Sequence, residues 1–313
     1  MKLKEINKIL FITLSNIGDV ILTLPVLTAL KDNFPGAKID VVVGPRPRDI
    51  FTKDPLINRI FTYDKHASLK DRAAFVIKLR KEKYDLAVDM RNSLLPVLIG
   101  AKKMTSILSK NKKMHKRSAH LEKLNNLGIE YKNQQNVYIH DEDRRYIDKL
   151  LEESGVKKGD VILGINPASR GPLKRWSADG FTEVINEVLR QGRHKIVLIG
   201  ESNERVLSHK DVIDFTGKTD LNKLFALIER MQLLLTCDSA SLHIACDLGV
   251  KVIAIFGPTD PNEYGPTGKD DVVIRKGLKC SPCNKAICGF NHECMSQISA
   301  EEVLRALTLG FNL

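Results

Sequence analysis

Hydrophobic and polar positions along this chain follow two alternating patterns. Short apolar runs bounded by polar or turn residues read as buried strands, and longer stretches with apolar positions three and four apart read as helices. In the first half, Lys8 to Thr13 is a strand, Val20 to Asn33 a helix ended by Pro35-Gly36, and Ile39 to Val43 a second strand. Ile57 to Tyr63 contains another strand, Leu69 to Lys83 is an amphipathic helix and Tyr84 to Asp89 is again strand-like, after which the pattern weakens. A helix from Glu142 to Glu153 and the turn Ser154 to Asp160 read as the crossing to a second series. That series runs strand Val161 to Asn166, helix Asp179 to Arg190, strand Lys195 to Gly200, short helix Asn203 to His209, strand Val212 to Phe215 and helix Leu221 to Glu229. Strands alternating with helix-length segments predict an α/β chain of parallel sheets, with right-handed crossovers and ligands at the strands' carboxyl ends.

The stretch Leu233 to Pro261 is the centre of the second series. Leu233 to Thr236 is a buried strand, Asp238 or Ser239 caps a helix with Leu242, Ala245 and Cys246 at helical spacing, and Gly249 closes it. Val252 to Phe256 is the next strand, broken at its carboxyl end by Gly257-Pro258-Thr259-Asp260-Pro261. Such a unit presents backbone N–H groups and the positive end of a helix dipole beside a carboxylate, as the phosphates and sugar of a nucleotide require. The last helix, from Ser299-Ala300-Glu301-Glu302 to Leu309, has a capping-box start and is expected to pack back toward the first domain. The expected division is therefore residues 1–155, 156–298 and a terminal helix within 299–313.

Composition fits two domains: 313 residues at 43% hydrophobic are enough for two packed cores. The net charge of +11 asks for an anionic partner, which could be nucleic acid, a membrane surface or an acidic substrate. No run approaches the ~20 apolar residues of a membrane span. Met1 to Lys8 leads straight into a strand without a signal-peptide cleavage pattern, so a cytoplasmic, soluble chain is expected, able to rest peripherally on a membrane. From Ala101 to His120 the run contains Lys102, Lys103, Lys110, Lys112, Lys113, Lys116 and Arg117 and no acid. It reads either as a solvated face or as an anion-facing surface, and the interleaved Met104, Ile107, Leu108 and Met114 would suit a lipid headgroup layer. The run lacks stacking aromatics, and no DNA-reading motif accompanies it, which disfavours nucleic acid.

Three separated motifs carry a resemblance. They are Leu14-Ser15-Asn16-Ile17-Gly18-Asp19 with Leu24-Pro25, then Asn166-Pro167-Ala168-Ser169 through Lys174-Arg175-Trp176, and Asp238-Ser239-Ala240 with His243, Ala245, Gly249 and Phe256 to Pro261. In this order they resemble the bacterial ADP-heptose:lipopolysaccharide heptosyltransferase family. The resemblance implies an inverting glycosyltransferase with two Rossmann-like α/β/α domains facing across a cleft, the GT-B architecture. The donor would sit mainly on the second domain and the acceptor on the first. It implies an ADP-heptose donor, an anionic lipopolysaccharide core precursor as acceptor, and no required cofactor or catalytic metal.

Asp19, at the first strand-to-helix turn, is placed to be a base but reads by position alone rather as a helix-terminal carboxylate, and the resemblance implies that it is the general base. By the resemblance Lys174 contacts the donor phosphates, Ser169 binds phosphate, and Arg170 stands where a Thr is more usual and offers a bidentate phosphate contact instead. Glu204 matches a ribose-binding acid. Asp238 orients the sugar or caps the helix, and His243 reaches a phosphate or is structural. The backbone N–H groups of Ser239, Ala240, Ser241 and Leu242 bind phosphate whatever their side chains. Lys110, Lys112, Lys113, Lys116 and Arg117 are the candidate acceptor- and membrane-facing cations.

Cys280, Cys283, Cys288 and Cys294 come after the second domain at a spacing that fits neither a double C-x-x-C zinc ribbon nor a ferredoxin run. They either bind metal or hold a loop together as packed thiols or disulfides. Two other functions stay open: a GT-B enzyme or epimerase using another nucleotide sugar, and a non-catalytic nucleotide-sugar or lipid-binding protein. A dinucleotide oxidoreductase is disfavoured because the first strand lacks G-x-G-x-x-G.

Overall fold

A computed structural model of the chain describes residues 6–106, 113–125, 127–192, 194–201 and 209–311. The chain forms two compact units, Met1–Tyr138 and Ile139–Leu313. The first contains β1 (Lys8–Ile12), α1 (Ile17–Asn33), β2 (Lys38–Val43), β3 (Ile57–Thr62), α2 (Leu69–Arg80), β4 (Leu86–Asp89), α3 (Leu95–Leu98), β5 (Lys103–Met104) and α4 (Lys116–Asn125). Its strands pair in parallel in the order β3-β2-β1-β4-β5. The central strand β1 is covered on both faces, so Ile9, Leu10, Phe11 and Ile12 form a continuous apolar run without alternation. The same logic makes α1 apolar all round, since every residue from Val20 to Leu30 is buried. Among the buried carboxylates of this unit, Asp40 is the most completely covered. Asp40 on β2 is fully buried, and donors from Tyr84 (2.7 Å), Asn58 (2.6 Å) and Arg59 (2.7 Å) satisfy its carboxylate.

The second unit contains α5 (Asp141–Glu153), β6 (Ile162–Asn166), α6 (Ala178–Gln191), β7 (Lys195–Leu198), β8 (Val212–Asp214), α7 (Leu221–Glu229), β9 (Leu233–Cys237), α8 (Ala240–Asp247), β10 (Lys251–Ile255), α9 (Pro261–Tyr264), β11 (Val272–Ile274), α10 (Glu293–Ser296) and α11 (Ala300–Phe311). Its strands are again all parallel, in the order β11-β10-β9-β6-β7-β8. In both units the chain starts in the middle, winds to one edge and returns to the other side. The strand order reverses between β1 and β4 in the first unit, and between β6 and β9 in the second. These are the two expected Rossmann-like α/β sheets, and the reversal points are where loops at the carboxyl ends diverge and leave room for a ligand.

The two units divide earlier in the chain than expected. The division falls at 138/139 and not at 155/156, because α5 belongs to the second unit. Its Arg144 grips Glu229 of α7 with both Nε (2.8 Å) and NH2 (2.9 Å), and Arg230 grips Asp148 in the same two-pronged way. Ile147 and Leu151 form its buried face. The last helix, α11, forms with the expected capping box: Ser299 Oγ accepts the Glu302 N–H (3.2 Å), and Glu302 Oε2 accepts the Ser299 N–H (2.9 Å). Its apolar face, Val303, Ala306 and Leu307, lies in the second unit's core beside Phe181 and Ile253. Elements also form where the pattern had weakened, namely β5 and α4, and β11 extends the second sheet by one edge strand. The short helix expected from Asn203 lies outside the described residues.

Arg144→Ala should cost about 1–3 kcal/mol, the range for a two-pronged charge-assisted contact that leaves a partly covered carboxylate behind. Chemical denaturation measures this. A change under about 0.5 kcal/mol would mean that Ile147 and Leu151 alone hold α5.

Candidate functional site

At the β6/β9 reversal, Asn166 ends β6 and is buried. Its Oδ1 accepts the Ala168 N–H (3.0 Å), while Nδ2 donates across the gap to Ser241 Oγ (2.9 Å) and Ser239 Oγ (3.3 Å). One side chain thus ties the loop after β6 to the first turn of α8. Gly200, at the end of the neighbouring strand, has φ +126°, and a Cβ there would lie 2.7 Å from Asn166 Oδ1, so glycine is needed twice over. Ser239 caps α8, yet its hydroxyl makes no hydrogen bond to that helix. It bonds with Thr236 Oγ1 instead (2.9 Å), which leaves the helix's leading N–H groups uncapped by their own serine.

Ser169 Oγ donates to the carbonyl of Asp238 (2.7 Å), fixing the loop after β9. The Asp238 carboxylate, 7% exposed, pairs with Lys174 Nζ at 2.6 Å, and the Lys174 side chain is 37% exposed. The cation therefore reaches solvent and the anion does not. The next two residues, Arg175 and Trp176, hold Lys174 in place. Trp176 is buried edge-on against Phe181 (4.9 Å), and its Nε1 donates to Ile298 O (2.9 Å). Gly180 leaves room for that indole, because a Cβ would sit 2.4 Å from the ring. Arg175 Nε donates to Ser169 O (2.8 Å), closing the loop on itself.

The structure thus brings together Ser169, Lys174, Asp238, Ser239, Ala240, Ser241, Leu242 and His243 in one corner of the second unit. Of these, Leu242 and His243 are buried and the Ser241 hydroxyl is occupied by Asn166. Arg170 is exposed beside Ser169. Glu204 lies outside the described residues. Asn166 and Thr236 were missed as individual residues; the signal for Asn166 was its place as the last residue of an apolar run, with Pro167 directly after it.

Asp19 sits in the first unit, on the first turn of α1 at the carboxyl end of β1, half-buried, and accepts a hydrogen bond from Asn16 Nδ2 (2.8 Å). The loop after β4 holds residues that motif reading did not find. Asp89 is buried and accepts the N–H groups of Arg91 and Ser93 (both 2.7 Å) and the Ser93 hydroxyl (2.7 Å), so it serves as a loop anchor. Lys123 of α4 donates to Asp89 O (2.7 Å) and Asn92 Oδ1 (2.5 Å). Burial lowers the Lys123 pKa below that of a free lysine. The Arg91 guanidinium lies over the Tyr63 ring (5.0 Å), and its buried NH1 has no hydrogen-bond partner among the described residues. An unsatisfied guanidinium donor at a strand's carboxyl end is where an anion would bind.

The basic run is less uniform than its composition suggests. Lys102 pairs with Asp85 (2.7 Å), and Arg117 donates to Tyr131 OH (2.7 Å) and Asn133 Oδ1 (3.2 Å). Lys113 is exposed and Lys116 begins α4, while Lys110 and Lys112 lie outside the described residues. Arg117 therefore has internal partners that the solvated-face and anion-facing readings both omitted. No described helix is long and apolar enough to cross a membrane. The six cysteines are free thiols, and among the described residues no three His, Cys, Asp or Glu side chains stand in ligating arrangement.

Over residues 72–293 the chain matches glycosyltransferase family 9 (heptosyltransferase). Lipopolysaccharide heptosyltransferase 3 of Escherichia coli K12 is 28% identical over 331 aligned positions, which cover 92% of this chain and 94% of that protein. In fold the chain is similar to a solved glycosyl transferase of family 9 from Veillonella parvula, with TM-score 0.81 at 24% identity over 100% of this chain and 99% of that one. It is also similar to the E. coli ADP-heptose LPS heptosyltransferase II, with TM-score 0.75 at 20% identity over 97% and 99%.

His120, one turn before Lys123, has its pKa lowered from 6.5 to about 4, first by burial and then by Lys123, Lys116 and His115. The fold therefore holds His120 neutral where the unfolded chain would protonate it. Its stabilising contribution is complete above about pH 6.5 and is lost as pH falls toward 4. Thermal unfolding of the parent should shift to lower temperature across that window, and His120→Gln should flatten the slope. Identical slopes for the two proteins would remove His120 as its source.

Proposed function

We propose that this chain, which belongs to glycosyltransferase family 9, transfers a heptose from ADP-heptose to an anionic lipid-linked saccharide, a lipopolysaccharide core precursor. The observation that carries this reading is the Lys174–Asp238 pair at the β6/β9 reversal, beside the start of α8, where the Ser239 side chain makes no hydrogen bond to the helix. A diphosphate competes with Asp238 for Lys174, and the two negative groups cannot share one ammonium at full strength. When Lys174 turns to the phosphates, Asp238 becomes free to accept hydrogen bonds from the sugar. One internal ion pair is exchanged for two contacts with the donor. Ser169, Arg170 and the N–H groups of Ser239 to Leu242 take the remaining phosphate oxygens, His243 supports them, and Glu204 takes the ribose.

The acceptor is assigned to the first unit. Asp19 takes the proton of the acceptor hydroxyl as its oxygen attacks the anomeric carbon on the face opposite the diphosphate. The bond from that carbon to the phosphate oxygen breaks, and the charge it releases is met by Lys174 and the dipole of α8. Asp19 suits this role better than Asp89, whose carboxylate oxygens already serve three donors of its own loop. Arg91 supports an anionic acceptor, since its buried NH1 has no hydrogen-bond partner among the described residues. Lys113 and Lys116 carry charge that suits a lipid headgroup layer, which supports a peripheral position of the enzyme on the cytoplasmic face of the membrane.

Asp19→Asn keeps size and most hydrogen bonding while removing the basicity. It should lower kcat by ~10²–10⁴ while leaving ADP-heptose affinity near that of the parent, measured by single-turnover kinetics and calorimetry. A kcat within about threefold of the parent would take Asp19 out of the reaction. In the same preparation, ADP-heptose should raise the melting temperature more than UDP- or GDP-sugars do. Equal shifts would sink the donor assignment.

A further inference from the structure

Between Ile274 of β11 and Glu293 of α10 the chain contains no helix or strand, a longer irregular span than the ~12–15 residues usual in compact domains. Its first part is anchored. Ser281 Oγ donates to Gly257 O (2.6 Å), and the N–H groups of Cys283 and Asn284 both donate to Pro258 O (2.9 and 2.8 Å). From Lys285 to Phe290 the described backbone makes no backbone–backbone hydrogen bond. This stretch also leaves Ile287 82% and Phe290 67% exposed, so apolar burial does not hold it either. What the stretch does have is sulfur. Cys280, Cys283, Cys288 and Cys294 all line one cavity of about 220 Å³, which Leu173 and His292 also border.

We propose that Cys280, Cys283, Cys288 and Cys294 form a tetrathiolate site for one thiophilic metal ion, zinc or iron(II), that fixes this loop. The C-x-x-C pair supplies two sulfurs from one turn, the arrangement that chelates such ions, and α10 supplies the buried fourth. Charge separates this reading from a pair of disulfides. Four thiols that bind a divalent ion release four protons and leave a site of net charge −2, whereas two disulfides are neutral. Arg275, Lys276, Lys279 and Lys285 flank the first pair, and no acid intervenes from Val272 to His292. Lys276 pairs with Glu302 (2.6 Å), and the remaining cations are available to balance a dianion. The sulfurs share a cavity wall without meeting at one point, so coordination draws the weakly bonded stretch around Cys288 inward.

The site would act on the donor corner through structure and take no part in bond making. His292 Nε2 hydrogen-bonds Leu173 O (2.6 Å), next to Lys174, and Pro258 receives the loop's N–H groups. A fixed loop therefore positions the Lys174 segment.

The full chain, purified without chelator, should contain about one equivalent of zinc or iron by elemental analysis. After chelation under reducing conditions, Co(II) should bind with the sulfur-to-metal charge transfer and visible bands of a tetrahedral thiolate site. Binding should protect four of the six thiols from a thiol reagent. Cys280→Ser/Cys283→Ser and Cys288→Ser should lose both signals, and the titration of the parent stands alone if those variants do not fold. Background metal with six reactive thiols, two disulfides by mass, or the spectrum of an iron–sulfur cluster would each overturn the proposal. None of these readings depends on glycosyl transfer, so the metal site and the proposed reaction fail separately.

Discussion

The second unit depends on a constraint that Asn166 resolves. Where β6 and β9 lie side by side and their connections leave in opposite directions, two loops part and would leave backbone groups facing an open gap. Asn166 spans that gap with three hydrogen bonds, one to Ala168 and two to the serines that start α8. The loop after β6 is thereby locked to the helix start after β9, and Ser169 adds a second tie to the Asp238 carbonyl. An amide suits this position because it accepts and donates at once. The buried Trp176 fixes the far end of the same loop, so Lys174 is carried on a segment pinned on both sides.

Charge is distributed by the same logic. Asp238 is almost fully covered and its partner Lys174 is not, and in the proposed function an incoming diphosphate opens this pair. In the first unit the loop after β4 carries an anchored Asp89 and an Arg91 whose NH1 has no hydrogen-bond partner among the described residues, Lys123 of α4 bonds to that loop, and Asp19 stands on the first turn of α1. Two sheets of the same winding thus present opposite problems. One corner holds a carboxylate that keeps a lysine waiting, and the other holds cations around a carboxylate committed to its own loop.

Much of this was legible in the sequence because the chemistry is local there. The apolar runs of β6, β9 and β10, the cap at Ser239, the turn at Gly249 and the box at Ser299 each arise from a few adjacent residues. Side chains whose partners are distant in the chain could not be read. Arg144 reads as one more charge on an amphipathic helix until Glu229, 85 residues on, is beside it, and this moved the unit boundary. Arg117 reads as part of a basic run until Tyr131 and Asn133 take it. The strand β5 is two residues long and gains its identity only by pairing with β4, which no periodicity can signal. Arg91 comes after an ordinary short strand, and only its buried NH1, with no hydrogen-bond partner among the described residues, marks it out.

The central claim is that Lys174 is held by Asp238 for a diphosphate. The most direct test is the calorimetric Kd of ADP for Lys174→Met placed on an Asp238→Asn background, where no buried carboxylate is left unpaired. Compared with Asp238→Asn alone, the double variant should bind ADP about 10–100-fold more weakly, the loss of one charge-assisted phosphate contact. Equal affinities in the two proteins would contradict the account, because the lysine would then belong to Asp238 alone.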